Sequence, residues 1–573
     1  MQILMNAEPD PAPQPPSTAR ILRQHFFRRF FDNDTLSLEA ETETTVIRAL
    51  AAFAVPALMV AFWLLPSYPG APPRSMWAIA ADRYFFVLYS FVAMGIVTTF
   101  EWEMLFPDRA DFQILLPMPL KARELFYAKG LALLSFLGMF LVAANLFALV
   151  LFPAVSTKSN GSYLRSVWAH LASVSLSGIF AAFTMLALDG LFLCLLPAKW
   201  FRQVSTVIQS LSVTVLLLLF LLFPLFGSHM QTLLDGHATF ARFIPPIWFL
   251  GLYEHLALGA SAPAGAALLA TIGLYATACS TALALLVYPA AWARQKKTAL
   301  EGALQVRVPK PNLLHALLHR TLLARPQRRG VFHFLRHTIA RNVHYQVYLA
   351  LYAGVGLALA VSSVVTLRGS AGSMSLVLWK PGLHAVLPLL LFWLVSGLRA
   401  AFAFPIDMRA RWIFPIHLPF PGRDAKAAKL FVQLACATLI CADLTLLMAL
   451  RWSPTELLVQ AVCGAGLSLI LTDLFFVGRT RIPFTSPRLP GRVNLPILFV
   501  QYAAIFPTLV LCTVSLELAT EANLALLLRI LPGIAVAHLL SIAADRFFQQ
   551  DTPDGFFEEE QGDGPQTLGL SNY

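Results

Sequence analysis

Apolar residues in this sequence are grouped in long runs that polar or proline-rich segments separate. A membrane-spanning helix needs about 20 predominantly apolar residues, and each run reaches or approaches that length. The first set of runs lies near 46–65, 79–100, 130–152, 166–197, 205–226 and 264–289, and the second set lies near 345–366, 383–402, 428–449, 455–477, 494–516 and 522–543. The pattern predicts an all-α polytopic membrane protein with about 12 transmembrane helices in two six-helix halves.

Composition excludes a water-soluble protein. The chain is 57% hydrophobic and 13% charged, whereas soluble domains are about 45–50% apolar and about 25% charged. The net charge of +11 does not indicate a nucleic-acid partner, because the basic residues lie mostly between apolar runs. With an even number of spans, most of the 42 Lys and Arg residues fall on the cytoplasmic side when both termini are cytoplasmic.

The alternation of polar and apolar segments predicts five regions. We expect a cytoplasmic tail over 1–45, a first six-helix half over 46–289, a basic cytoplasmic linker over 290–344, a second six-helix half over 345–548, and an acidic disordered tail over 549–573. Within the first region, Leu22, Phe26 and Phe30 recur every four residues among arginines, which predicts an amphipathic elbow helix over 20–31. The alternative is a short basic juxtamembrane tail. Residues 331–343 predict a second amphipathic helix before the second half.

An internal repeat links the two halves. Residues 109–129 match residues 409–429 without a gap, at a constant offset of 300 positions. The identical pairs are Arg109 and Arg409, Ala110 and Ala410, Pro119 and Pro419, Arg123 and Arg423, Ala128 and Ala428, and Lys129 and Lys429; the similar pairs are Phe112 with Trp412 and Glu124 with Asp424. Shared apolarity does not explain matches of charged residues and proline. Halves with an even number of spans have the same orientation, so the repeats are expected to be parallel.

The repeated segment is predicted to be a cytoplasmic loop in each half. A short helix can begin after the proline, with Glu124 or Asp424 in its first turn, where an acid is favourable. Two equivalent loops suit a twofold cytoplasmic partner. The alternative is an ordinary interfacial loop helix without a partner.

These loops resemble the coupling loop of permease subunits of ABC exporters, in the export class with six spans per half. Residues 115–129 are similar to that family's "LPLP…RE…K" pattern, and residues 240–255 are similar to its re-entrant "PP-x-W" element. The resemblance implies a transmembrane permease subunit of the bacterial inner (plasma) membrane that couples ATP hydrolysis to export. Its partner would be a cytoplasmic P-loop ATPase, expected to be a homodimer, beside the lipid bilayer. Two departures are the fusion of two halves and the short 517–523 segment, which leaves the second half without the Pro-Pro-Trp element.

The resemblance also assigns residues to roles. Those implied to couple to the ATPase are Arg109, Phe112, Pro119, Arg123, Glu124, Lys129, Arg409, Trp412, Pro419, Arg423, Asp424 and Lys429. Those implied to cap the pathway on the outer side are Pro245, Pro246 and Trp248, for which an interfacial aromatic anchor is the alternative.

The chain itself is not expected to be an enzyme. No GxxxxGK[ST] motif occurs in it, so ATP and Mg²⁺ are expected on the partner and no cofactor in this chain. A lipid-modifying membrane enzyme is a further hypothesis, but no paired catalytic constellation supports it. No metal site is expected either, because the histidine pairs 315/319 and 333/337 lack further ligands nearby.

Three acids lie within or near the ends of apolar runs: Asp189, Asp443 and Asp473. Acids in the membrane are costly and are functional candidates. They support an alternative function, a proton-coupled secondary transporter. Asp189 and Asp473 lie near the inner interface, where a structural role also accounts for them.

Overall fold

The computed structural model describes residues 18–31, 42–68, 74–106, 109–115, 117–118, 120–156, 162–235, 239–300, 323–370, 373–402, 426–477, 482–484 and 495–550. The chain divides into two compact units. The first is Met1–Gln305 with Gly369–Ser375, and the second is Val306–Arg368 with Leu376–Tyr573.

Within Met1–Gln305, the described part of the first unit is helical. Its α-helices are α1 (Thr18–Arg29), α2 (Thr42–Leu64), α3 (Met76–Phe100), α4 (Arg109–Leu115), α5 (Ala122–Ser156), α6 (Tyr163–Leu195), α7 (Ala198–Leu221), α8 (Phe223–Gly227), α9 (Met230–Leu234), α10 (Pro245–Leu258) and α11 (Ala266–Leu300). Single 3₁₀ segments lie at Leu65–Ser67, Trp102–Met104, Thr239–Phe243 and Gly259–Ser261.

Helix α3 is the centre of the first unit. It packs against α5, α6, α7 and α10, while α6 also packs against α5 and α11. The amphipathic α1 and the first long helix, α2, both lie on α5. Gly178 permits the closest of these approaches, since a Cβ there would lie 2.6 Å from Leu141 and 2.9 Å from Met94. A larger residue would push α6 away from α3 and α5.

The second unit contains helices and the outer parts of one pair of strands, whose segment Gly369–Ser375 is assigned to the first unit. Its elements are α12 (Pro326–Arg341), α13 (Val343–Val364), β1 (Val365–Ser370), β2 (Ser373–Leu378), α14 (Lys380–Ala401), α15 (Lys426–Ala449), α16 (Pro454–Phe476), α17 (Leu495–Ala522) and α18 (Leu527–Gln550), with a 3₁₀ segment at Leu524–Leu526. The strands β1 and β2 form a two-stranded sheet. The sequence pattern did not predict them.

Helix α14 is the centre of the second unit. It packs against α13, α15, α16 and α17, while α16 also packs against α15 and α18. The amphipathic α12 lies on α15. The core around α14 is built from Phe392 and Trp393, both almost fully buried. A capping box at Ser453 and Glu456 begins α16.

The structure confirms an all-α type of polytopic membrane protein. Each predicted apolar run carries a helix, and eleven described helices are long and apolar enough to cross a membrane. The seventh predicted span falls short of that length, since its apolar stretch is Tyr348–Val364 and strand β1 follows at Val365. The predicted elbow helix is present as α1, with Leu22 and Phe26 buried. The predicted second amphipathic helix is present as α12.

Candidate functional site

One side of the loop that follows α3 is fixed to the first unit. Asp111 on α4 is 4% exposed and forms an ion pair with Arg29, at the end of α1. The Phe112 ring packs edge-on against Trp292 of α11, with ring centroids 5.5 Å apart. The loop is therefore held by the amphipathic helix on one flank and by the last long helix of the unit on the other.

The other side of this loop is exposed. Ile114 is 60%, Met118 46% and Tyr127 64% exposed, and the side chains of Lys121 and Arg123 are exposed beside them. We call these five residues the 114–127 face. An exposed patch that combines aromatic, methionine and arginine side chains has the composition of a protein-binding surface.

The predicted coupling residues of the first half fall into two groups. Phe112 and Lys129 are buried, at 1% exposure each, and hold the loop in place. Arg123 and Glu124 lie in the first turn of α5, where Arg123 is exposed and Glu124 is half-buried. Arg109 begins α4, but its side chain lies outside the described residues, as does Pro119.

The described part of the corresponding loop in the second half is its end, from Lys426 onward. Arg409, Trp412, Pro419, Arg423 and Asp424 lie outside the described residues. Lys429 lies in the first turn of α15, where its Nζ is 3.7 Å from Asp473 and forms a hydrogen-bonded ion pair with Asp545. The lysine of the second loop therefore joins α15 to α16 and α18.

Lys129, the repeat partner of Lys429, has different surroundings. Its Nζ lies 5.0 Å from the ring centroid of Phe26 and 4.8 Å from that of Phe30, at the end of the amphipathic segment. Glu101 lies near it and is 8% exposed. Burial raises the pKa of Glu101 to about 8, against the lowering effect of the Lys129 charge.

The residues predicted to cap the pathway lie at the start of α10. Pro245 and Pro246 occupy the first helical positions, where proline is favoured. The Trp248 indole Nε1 donates a hydrogen bond of 2.9 Å to the Arg242 carbonyl. The helix is 14 residues long, which is too short to span a bilayer. Most of its side chains are buried, because other helices of the unit surround it.

A buried ion pair that the sequence reasoning missed fixes α10 to α3. The Arg83 guanidinium is 2.7 Å from the Glu254 carboxylate, and the two side chains are 10% and 1% exposed. Arg83 also lies over the Tyr253 ring, 5.0 Å from its centroid. Burial raises the pKa of Glu254, and the Arg83 charge opposes that shift. The available signal was a charged residue inside each of two apolar stretches.

The three predicted intramembrane acids are all buried. Asp189 on α6 is 2% exposed. Asp473 on α16 lies 2.6 Å from His538 Nδ1 and near Lys429, which is consistent with a structural role. Asp443 on α15 is 5% exposed and accepts a hydrogen bond of 3.3 Å from Gln460 Nε2.

Comparisons with known proteins give no relative. A scan against protein-family models, a search of curated proteins and a search of solved structures each found no match to this chain.

Proposed function

We propose that this chain is the transmembrane permease subunit of an ATP-driven exporter, which receives the motion of a separate ATPase through two cytoplasmic coupling loops. The repeated loop carries the proposal. Charged residues and one proline recur over 109–129 and 409–429, and the first copy has a fixed inner side and the exposed 114–127 face. A loop that transmits motion needs both properties. The exposed face binds the ATPase, and the fixed inner side passes the movement to the helices, whereas a loosely held loop would move on its own.

The packing within each unit supports a repeated architecture. In both units the second long helix contacts the third, fourth and fifth, the fourth contacts the sixth, and an amphipathic helix lies on the third. Such agreement is expected if the halves are parallel repeats of one six-helix design. The first helix differs, because α2 packs mainly on α5 whereas α13 packs mainly on α14.

The energy source must then be another chain. The 573 residues contain no P-loop motif, and the phosphates of ATP are held by such a loop in P-loop ATPases. ATP and Mg²⁺ would bind to the partner, and this chain would carry the substrate pathway.

Co-purification tests the proposal. The tagged full-length chain is extracted from the membranes of its host in mild detergent, and stoichiometric partners are identified by mass spectrometry. We expect a P-loop ATPase. The variant Arg123→Ala with Tyr127→Ala removes two large side chains from the 114–127 face and should lower recovery of the ATPase about tenfold or more.

The matched control uses two exposed residues outside the 114–127 face, one just before α10 and one at the start of α6. Arg242 and Tyr163 are also exposed, and the variant Arg242→Ala with Tyr163→Ala should recover the ATPase as the wild type does. Absence of any ATPase, or equal loss with both double variants, would contradict the proposal.

A second candidate function is a proton-coupled secondary transporter that uses the intramembrane acids. The observation that favours it is Asp443, which is buried and faces a neutral amide, Gln460, rather than a basic group. Asp473 is also buried, but it is paired with His538. Transport that persists without an ATPase and stops when the proton gradient is dissipated would favour this second function over the first.

A further inference from the structure

A polar cluster of buried side chains lies at one end of the second unit. Helix α14 begins there, α15 ends, α16 begins and α17 ends. Each helix places a polar side chain four to six residues from its end, or about 6–9 Å along the helix axis. Asp443, Gln460 and Glu517 form the inner part of the cluster and are 5%, 1% and 0% exposed.

Gln460 stands between the two carboxyl groups. One end of its amide is 3.3 Å from Asp443 Oδ2, and the other end is 3.2 Å from both Glu517 oxygens. A side-chain amide has a donor end and an acceptor end. An ionised carboxylate can only accept hydrogen bonds. If both acids were ionised, one of them would therefore lie against the Gln460 carbonyl oxygen, and two acceptors would be in contact without a hydrogen between them.

This conflict does not depend on which way the amide points. If the nitrogen faces Asp443, Glu517 must carry a proton and donate it to the Gln460 carbonyl. If the amide is turned over, Asp443 must carry the proton instead. In both arrangements a single proton, carried by one acid or the other, removes the contact between two acceptors.

A histidine connects this pair to the helix ends. His384 on α14 is 4% exposed, and its Nδ1 has no hydrogen-bond partner among the residues that the structure describes. That nitrogen lies 3.6 Å from Glu517 and 3.7 Å from Glu521, whose side chain is 20% exposed. These distances exceed a direct hydrogen bond, so proton transfer requires the side chains to close a small gap.

The remaining titratable groups around the cluster are few among the described residues. Glu456 and Lys380 form an ion pair of 3.3 Å at the helix ends, and Cys463 on α16 lies beside Glu517. No group of three or more His, Cys, Asp or Glu side chains in the described ranges has the geometry to hold a metal ion. A proton therefore suits the cluster better than a metal cation.

We propose that Asp443, Gln460 and Glu517 form a proton-binding site that holds one proton at neutral pH, and that His384 and Glu521 exchange this proton with the aqueous end of the helices. On release, the Glu517 carboxylic acid gives its proton to His384 Nδ1, which leaves a carboxylate and an imidazolium. Glu521 then accepts the proton and passes it to water. His384 suits this step because imidazole titrates near neutral pH.

Infrared spectroscopy of the purified full-length protein in lipid nanodiscs tests the site. The carbonyl stretch of a protonated carboxyl group is separate from that of a carboxylate, and it shifts when the proton is exchanged for deuterium. The variants are Asp443→Asn and Glu517→Gln, which keep the shape of each side chain. We expect each single variant to remove the whole band of the shared proton, because the new amide donates the hydrogen bond and the remaining acid ionises.

Glu101→Gln calibrates the measurement. Glu101 has a pKa of about 8 and is also protonated at pH 7, so its variant should remove one carboxyl band of its own and leave the shared one. A shared band that survives both Asp443→Asn and Glu517→Gln would overturn the proposal. Two bands, each lost with only one variant, would overturn it as well, since the acids would then hold separate protons.

The exchange path has its own test. His384→Gln should slow deuterium exchange of the shared band about tenfold, while the control His255→Gln, at an exposed histidine of the first unit, leaves the rate unchanged. An unchanged rate in His384→Gln would overturn the role of the histidine. The protein is studied without an ATPase, so these results do not depend on the proposed exporter function.

Discussion

The second long helix of each unit carries a basic side chain close to its start, and a glutamate faces it in both cases. In the first unit Arg83 closes on Glu254 at 2.7 Å. In the second unit His384 stands 3.6 Å from Glu517. Arginine keeps its charge at any pH that the protein meets, whereas histidine changes charge near neutrality. The first unit thus has a fixed ion pair that ties α10 to α3, and the second has a cluster that can take up and release a proton.

The loop lysines differ in a similar way. Lys129 lies over two phenylalanine rings beside Glu101, while Lys429 lies between Asp473 and Asp545. The position that matches Glu101 in the second unit is the buried Ala401. The repeat has kept the lysine, but aromatic rings surround it in the first half and carboxylates surround it in the second, so each half fixes its loop with different interactions.

The largest expected effect comes from Glu254→Ala. It leaves the Arg83 guanidinium buried without its carboxylate, and breaking a buried pair costs about 3–5 kcal/mol. Thermal unfolding of the full-length protein in detergent measures it, with Asp235→Ala as a control nearby in the sequence. The double variant Arg83→Leu with Glu254→Leu should recover part of the loss. If the double variant is less stable than Glu254→Ala, the loss in Glu254→Ala does not come from the unpaired charge of Arg83.

The next effect separates the two lysines. Lys429→Met leaves two carboxylates close together and should lower the free energy of unfolding by about 3 kcal/mol. Lys129→Met keeps the packing against the rings and removes the charge that lies over them and beside Glu101; the cation–π part of this loss is worth about 1–2 kcal/mol. The same thermal measurement compares them. Equal losses would show that the two loops are held alike.

A pH series on Glu101→Gln sharpens the difference at Lys129. The pKa of Glu101 is raised from 4.5 to about 8, so between these values the folded protein binds a proton that the unfolded chain has lost. The contribution of Glu101 to the stability of the wild type should therefore fall as the pH rises through this window, by about 2 kcal/mol between pH 6 and pH 8. The glutamine variant lacks this decline. Parallel pH curves for the two proteins would contradict the raised pKa.

The smallest expected effect is that of Glu517→Gln. An amide there replaces a carboxyl group that already shares a proton, so the loss at pH 7 should stay below about 1 kcal/mol. The informative quantity is the difference between this loss in the free energy of unfolding and the loss in Glu254→Ala. If Glu517→Gln destabilises the protein as strongly as Glu254→Ala, the second cluster is a fixed ion pair like the first.

Much of the fold follows from the sequence because helix formation in apolar runs is a local property. The runs predicted all the long helices, and the four-residue spacing of Leu22 and Phe26 predicted α1. The strands after α13 were missed because the seventh predicted span, near 345–366, extends into β1, although 365–368 and 373–376 alternate between apolar and polar positions. The pairs Arg83–Glu254 and His384–Glu517 were missed for another reason. Their members are distant in the chain, and only the packing of helices brings them together.

The candidate loop was predicted in part. The repeat identified 109–129 but could not separate the residues that hold the loop from those that face outward. Phe112 and Lys129 are buried by α11 and by the end of α1, contacts that no pattern in the loop itself encodes. The exposed Tyr127 was not singled out, because it has no match at position 427.

Site-directed photo-crosslinking in living cells tests the central claim most directly. A photoreactive amino acid replaces Tyr127 or Met118 on the 114–127 face, or Tyr163 or Trp168, which are exposed on α6. After illumination, mass spectrometry identifies the crosslinked proteins. We expect a P-loop ATPase at positions 118 and 127 and none at 163 and 168. No ATPase at 118 and 127, or the same products at all four positions, would contradict the account.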